Sequence, residues 1–459
     1  MSRNGLRKEL LPRHVQFLAL AGMIGTGIFK GSGETLGIAG PGVVVSYLLG
    51  GALLLIVMVA LAEMAVVYPN HNVQHLVHKA FGFHISFIVG WLYWINWTLV
   101  TVVEILAAGS FLQFWFTDTP LWLLSAICAA VIIGINSLQV KFYGEMEFWF
   151  ASIKIIALVL FILLGGAVLL GLTDFAPDTP TQHLLGHGGF FPNGMQGVFA
   201  ACLIVMFSFG GSELIGVAIS ETKDVKKVLP KVIKGVVWRV LLFYILPIII
   251  ISGLIPWNEV AGTESPFVQV MDAIGIPGVA HVMNFILLTA VLSAANSGMF
   301  ATSRTMYSLA EKGEAPKLLA KTTKAGSPIN AITLNAVLLL VGAGLAYFAP
   351  DSIIGTMMTI PGFTMLLLWI GICAAQLKLR PDYAEMPHFK MKLFPATTII
   401  GLAGLVIILL GSSFSKGISV GTVVCFTALA VLIILAFILG RGRKQVETEW
   451  KMHNDTHNP

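Results

Sequence analysis

Apolar runs of a length that can cross a bilayer as helix, about 20 residues each, recur along the whole chain and are separated by short polar or charged segments. Spans are expected near 16–38, 42–67, 85–115, 121–139, 146–171, 195–220, 236–255, 277–303, 330–349, 352–377, 394–411 and 418–440. The expected fold is therefore an all-α polytopic membrane protein of twelve transmembrane helices. Two of the runs are interrupted. Leu18 to Phe29 is apolar but broken at Gly25-Thr26-Gly27, and the run through Phe209 meets Gly210-Gly211-Ser212-Glu213 before resuming at Leu214 to Ile219. Inside a bilayer such a break is tolerable only where protein or a water-filled cavity satisfies the freed backbone groups. Helices 1 and 6 are read as discontinuous. Paired interruptions in the two halves of a polytopic chain point to a transporter's substrate site, and they make spans 1–5 and 6–10 two similar units of opposite orientation.

This reading divides the chain into an N-terminal segment (1–15), a first five-helix unit (16–171), an outer loop (172–194), a second five-helix unit (195–377), helices 11 and 12 with the loop before them (378–440) and a C-terminal tail (441–459). Of its 459 residues 56% are hydrophobic and 11% charged, less than half the charged share of a soluble domain. Charge then sets the orientation. With both termini cytoplasmic, the basic residues gather inside: Arg3 to Arg13, Lys223 to Lys234, Lys312 to Lys324, Lys378 to Lys392 and the tail. The outer segments keep only Lys30 and Lys416. Topology thus accounts for the net charge of +5, and no nucleic-acid partner is called for.

The basic stretch Arg3 to Arg13 leads into the broken span without an A-x-A-like exit, so the first span is expected to stay in the mature protein. Cys128, Cys202, Cys373 and Cys425 stand singly in apolar spans and read as small core hydrophobes. Neither a metal-ligand cluster, a nucleotide-binding loop nor a paired nucleophile and base is evident. The expectation is a protein without cofactor or metal, not an enzyme, and with no ATPase subunit implied.

The topology leaves one basic residue over. Lys154 lies nine residues inside Glu145, about 14 Å from the cytoplasmic end of its span at 1.5 Å per residue. An amine so deep is costly. It either snorkels or is a desolvated group ready to give up its proton, which would make it a proton carrier. Ser293 and Asn296 lie at similar depth and could hydrogen-bond the amine, although their run of small residues also suits close helix packing. Glu104 is the other deep ion, with a role in binding a substrate amine or in the proton path, or else a structural hydrogen bond. Glu213 follows the second break, where a carboxylate suits a half-helix N-terminus. Glu63, near the Tyr68-Pro69 boundary, and Glu221, beside Lys223, read as inner-gate or ion-pair residues. Trp91, Tyr93, Trp94 and Trp97 read mainly as packing or an interfacial belt.

The breaks suggest the cargo. N–H groups at Gly25-Thr26-Gly27 suit a carboxylate, and carbonyls freed at Phe207, Ser208 and Phe209 suit an ammonium group. A cavity with both selects a zwitterion, of which an amino acid is the simplest. Gly210 and Gly211 leave room for its side chain.

The segments GMIGTGIFKGSG, LAEMAVVYP, WLYWINWTLVTVVEILAAG, QVKFYGEMEFWFASIKIIA, FSFGGSELIGVAISET and SAANSGMFATSRTMYSLAEKGEAPK resemble bacterial amino acid permeases. The branch is the amino acid transporter family of the amino acid/polyamine/organocation superfamily, with GABA, proline, aromatic and lysine permeases among its members. The resemblance covers spans 1 to 10. It implies a five-plus-five inverted repeat followed by helices 11 and 12, and proton-coupled uptake at the cytoplasmic (inner) membrane. It further implies that Gly25, Thr26 and Gly27 bind the substrate carboxylate, that the carbonyls around Phe207 to Phe209 bind its amine, and that Lys154 stands where sodium-coupled relatives place a cation, flanked by Ser293. A neutral aliphatic or small amino acid is preferred, since no further deep cation awaits an acidic side chain, and a cationic substrate stays open because Glu104 could serve it. The alternatives are an amino acid exchanger of the same fold and, more remotely, a receptor that binds without transport.

Overall fold

The computed structural model describes residues 24–68, 71–137, 143–172, 180–212, 233, 235–260, 264–323, 327–348, 353–383, 385–387, 389–414 and 420–440. The expectations for Glu213, Glu221, the start of the first span and the second half of the sixth fall outside them.

The described part of the first span, from Ile24 on, is not one continuous helix. Gly25 is extended (φ −152°, ψ −154°), one short turn of helix follows (α1, Thr26–Phe29), and after Lys30 the chain re-enters helix (α2, Gly31–Ala39). Gly40-Pro41-Gly42 forms a 3-10 turn, with Gly40 at a φ of +64° that disfavours any residue with a Cβ, and leads directly into α3 (Val43–Val67). The segment between the second and third spans is a short amphipathic helix, α4 (Val73–Phe81), which buries Val73, Leu76 and Val77 at the i, i+3, i+4 spacing of one face. The Asn72 side chain caps it by accepting from the His75 N–H at 2.9 Å.

The remaining helices follow in order: α5 (Phe83–Gln113), α6 (Leu121–Ser137), α7 (Tyr143–Leu169), α8 (Gly194–Ser208), α9 (Gly235–Leu254, with a π turn at Leu241–Ile245), α10 (Pro266–Ala273), α11 (Val279–Glu311), α12 (Ile329–Leu345), α13 (Ile353–Leu379), α14 (Ala396–Phe414) and α15 (Val420–Gly440). Among the described residues, eight helices are long and apolar enough to cross a membrane, and α6, α8 and α12 are shorter apolar helices. All four cysteines are buried with free thiols.

The bundle is organised around α5. Its most apolar stretch is 78% buried, against 17% for α15, and it packs along α11, α13, α6, α12 and α15. The apolar residues of α15 therefore face outward, as lipid contact demands. The α5–α11 contact is tight because Gly298 leaves room for the Thr101 side chain. The α8–α13 contact depends on Gly362, where a Cβ would strike the Leu203 carbonyl oxygen. That glycine follows Pro361, inside α13.

At one end α4 ties α5 to α11. Gln74 donates to Glu314 Oε2 at 2.7 Å and accepts from Lys312 Nζ at 2.8 Å, while the Trp91 indole donates to the Glu314 carbonyl at 3.1 Å. Burial first, and then the Lys312 charge, pushes His75 down to about 3, so this imidazole stays neutral at physiological pH.

Candidate functional site

The start of α1 and the end of α8 meet inside the bundle. From α8, the Ser208 hydroxyl donates to the Gly27 carbonyl at 2.7 Å, with the Ile204 carbonyl a second acceptor at 2.9 Å. A Cβ on Gly27 would lie 2.5 Å from Ser208 Cα, so the two backbones touch. The helix stops at Ser208 because Phe209 and Gly210 close turns onto Met206 and Phe207, and Gly211 then takes φ +89°, a left-handed conformation that glycine adopts without strain.

Glu104 comes to the break from α5. Its carboxylate accepts the Thr26 backbone N–H (3.1 and 3.2 Å to the two oxygens) and the Thr26 hydroxyl (2.6 Å). These are charge-assisted bonds made at the start of a helical turn, where the backbone dipoles favour a negative group. A Cβ on Gly25 would stand 2.6 Å from Glu104 Oε1, so the missing side chain lets the carboxylate in. Lys154, on α7, is fully buried and its charge acts on Glu104. Break, carboxylate and ammonium thus form one electrostatic series.

Between these groups lies a small cleft of about 20 Å³, room for about one water molecule, so a larger guest has to part the elements that line it. Gly25, Gly27 and Glu104 line it from one side, and Phe207, Ser208, Gly210 and Gly211 from another. Asn96, Trp97 and Val100 complete it. Asn96, Val100 and Glu104 are spaced four residues apart and so share one face of α5. Thr26 turns to Glu104, and Phe209 is buried against Tyr47 (5.8 Å between ring centroids) and Tyr244 (5.1 Å). Of the carbonyls expected to be free, that of Phe207 accepts the Gly210 N–H at 2.9 Å and that of Ser208 accepts the Tyr244 hydroxyl at 2.7 Å.

The other sequence candidates are spread around this centre. Ser293 is buried on α11, and the Asn296 carboxamide oxygen accepts from Asn136 of α6 at 2.7 Å. Trp91 and Trp94 pack edge to face at 5.5 Å. Beyond Glu104, toward the far end of α5, Lys30 Nζ donates to Ser110 at 3.2 Å, and the Ser265 hydroxyl, capping α10, donates to the Phe29 carbonyl at 2.5 Å. The Phe267 ring closes on Phe29 at 5.4 Å.

Glu63 sits apart from the cleft, near the end of α3. It accepts from Arg380 Nη1 at 3.2 Å and from the Met391 N–H at 2.5 Å, tying α3 to the end of α13 and the segment before α14. The pair is nearly dry, with side-chain exposures of 8% for Arg380 and 0% for Glu63. Removing one partner of a buried pair typically costs about 3–5 kcal/mol. Arg380→Met is expected to lower the melting temperature markedly, and adding Glu63→Gln to recover much of the loss. Scanning fluorimetry of the detergent-purified variants measures both; equal melting of wild type and Arg380→Met would show the pair to be dispensable.

Asn96, Tyr244 and the Glu63–Arg380 pairing escape a reading of composition and depth. Their signals in the sequence are faint: a lone carboxamide in WLYWINW, a lone phenol in LLFYILP, and an arginine already counted toward topology.

An apolar helical bundle in which the start of α1 and the end of α8 meet beside a buried carboxylate suits a membrane transporter. Comparison with known proteins agrees. The model of the amino acid permease family matches residues 14–455. The gamma-aminobutyric acid permease of Bacillus subtilis (strain 168) is 37% identical over 451 residues, covering 97% of this chain and 96% of the relative. The amino-acid permease RocE of the same organism is 34% identical over 459 residues, 98% of each chain. The aromatic amino acid transport protein AroP of Escherichia coli (strain K12) is 36% identical over 419 residues, 90% of this chain and 92% of the relative. The chain belongs to the amino acid permease family. It is a multi-pass membrane protein of amino acid transport and not an enzyme.

Proposed function

We propose that this permease takes up a neutral amino acid together with protons across the cytoplasmic membrane by alternating access. The observation that carries this reading is the meeting of Gly27 and Ser208 beside Glu104, with Lys154 acting on that carboxylate. In the proposed cycle the substrate lies in the cleft between the two breaks. Its carboxylate takes donors of the Gly25-Thr26-Gly27 turn, and its ammonium group lies against Glu104 and the carbonyl end of α8. Thr26 must then change partner, so substrate binding loosens the hold of Glu104 on the first break. Lys154 gives up or takes a proton as the charge around Glu104 changes, with Ser293 and Asn296 lying near its depth. Phe207 flanks the substrate, Phe209 backs the site from its packing against Tyr47 and Tyr244, and Glu63, Glu213 and Glu221 belong to the inner closure. Twelve spans, both termini in the cytoplasm, and two five-helix units in inverted repeat supply the rocking halves.

The names of the relatives cover substrates as different as gamma-aminobutyric acid and aromatic amino acids, so family membership leaves the side chain open. The neutral preference rests on the cleft: among its lining residues Glu104 is the charged one, which disfavours an anionic side chain, and once it faces the substrate ammonium no second carboxylate lines the cleft for a cationic side chain.

The test is uptake into proteoliposomes of the purified full chain, with each amino acid and gamma-aminobutyric acid in turn, under an inward proton gradient. Accumulation of one group of neutral amino acids that collapses with a protonophore is expected. Exchange against preloaded substrate without uphill accumulation would overturn the symport reading in favour of an exchanger.

A further inference from the structure

The cleft contains a buried donor that the proposed cycle does not use. Asn96 is fully buried on α5 and lines the cleft two turns before Glu104. Its carboxamide oxygen accepts the Thr364 hydroxyl of α13 at 2.8 Å, shorter than that hydroxyl's contacts to Pro361 (3.0 Å) and Ile360 (3.3 Å) on its own helix. This clamp fixes the plane of the amide and leaves Nδ2 as the end without a hydrogen-bond partner among the described residues. Beside it, Trp97 lines the same cleft at 4% exposure, and its indole N–H also has no partner among them. Buried polar groups in folded proteins are nearly always paired, and orphans in a cleft are explained most simply by a partner that comes and goes.

Resting on the transport reading above, we propose that Asn96, held by Thr364 and seconded by Trp97, is the side-chain specificity determinant of this permease, and that its preferred substrates are neutral amino acids with a hydrogen-bond acceptor on the side chain, the carboxamides first among them. The chemistry selects both properties. Two uncharged donors satisfy a carbonyl oxygen, whereas a side-chain carboxylate would lie near Glu104 with no cation lining the cleft. An aliphatic side chain of the same size would shut water out and leave both donors orphaned. A site built to bond a polar group rejects the analogue lacking it for that reason. The position fits as well. Asn96 and Trp97 line the same small cleft as Gly27, Ser208 and Glu104, so a side chain leaving a zwitterion held there meets them.

The experiment compares near-isosteric pairs, glutamine against methionine and asparagine against leucine, in proteoliposomes of the full chain under an inward proton gradient. The amide substrate is expected to exceed its isostere by about tenfold or more in uptake efficiency, the scale of one lost hydrogen bond in a dry site. Asn96→Leu should erase that preference, chiefly by raising KM for the amide substrates, while apolar uptake persists. Thr364→Val, which releases the clamp, should shift the ratio the same way by less, and it serves if Asn96→Leu does not fold. Equal uptake of the paired substrates by wild type, or an unchanged ratio in the folded variants, overturns the assignment. If nothing accumulates, the transport reading falls by itself. The rise in melting temperature of the purified chain with glutamine against methionine then decides for Asn96: a larger rise with glutamine that the variants lose supports it, and equal rises overturn it.

Discussion

Gly27→Ala is expected to abolish uptake, whereas Gly31→Ala, at the start of α2, is expected to keep it within about a few-fold of wild type. The difference lies in what each new methyl group would meet. At Gly27 it would stand 2.5 Å from Ser208 Cα, 2.9 Å from its Oγ and 3.0 Å from its Cβ. No rotamer change relieves a clash with a Cα atom. Nor is Ser208 free to retreat, since its hydroxyl is bonded to the Gly27 carbonyl and its own carbonyl to the Tyr244 phenol. The two broken helix ends would have to part, taking Thr26 from Glu104 and opening the cleft. At Gly31 the methyl would meet Ile204 Cγ2 at 3.2 Å and Met358 Sδ at 3.5 Å, the ends of side chains that can give way at the modest cost of mild overpacking. The measurement is initial uptake, in proteoliposomes, of whichever amino acid the wild type accumulates, with a size-exclusion profile of each variant to separate loss of function from loss of fold. Gly27→Ala transporting like wild type would show that the contact between the breaks is not part of the working site.

Much of this architecture is legible in the sequence, for a simple physical reason. A helix in lipid must carry about 20 apolar residues, so hydropathy marks its extent. The expected spans 121–139 and 394–411 correspond to α6 (Leu121–Ser137) and α14 (Ala396–Phe414). The helix start at Thr26 and the helix end at Ser208 are legible too, because Gly-Thr-Gly and Gly-Gly have little business inside an apolar helix. Depth is readable, but direction around the helix is not. Hydropathy places Glu104 deep in its span without revealing that the carboxylate turns to Thr26, and it places Asn296 level with Lys154 without revealing its bond to Asn136. Pairings across hundreds of residues are less legible still. Asn96 meets Thr364 and Glu63 meets Arg380 only because α13 packs between α3 and α5. Helix α4 leaves no hydropathy signal because nine amphipathic residues are too few and too polar for a span.

Lys154→Ala is expected to abolish accumulation driven by a proton gradient while sparing part of the exchange between internal and external substrate. In the structure Lys154 is wholly buried on α7, where removing the ammonium group leaves the Glu104 carboxylate without a cation that acts on it. With that side chain gone the proposed proton carrier is missing, so uphill uptake stops. The contact between Gly27 and Ser208 and the Thr26–Glu104 bonds remain, and they are enough for passive exchange. Lys154→Arg separates the proton carrier from a structural cation, because a guanidinium keeps the charge but is not deprotonated in proteins. If Lys154 carries the proton, the arginine variant exchanges substrate and fails to accumulate it. If Lys154 is a fixed cation, arginine should support flux in both assays at rates near wild type. Counterflow and gradient-driven uptake measured side by side on the same vesicles read the two outcomes directly, and full accumulation by Lys154→Ala would remove this residue from the coupling altogether.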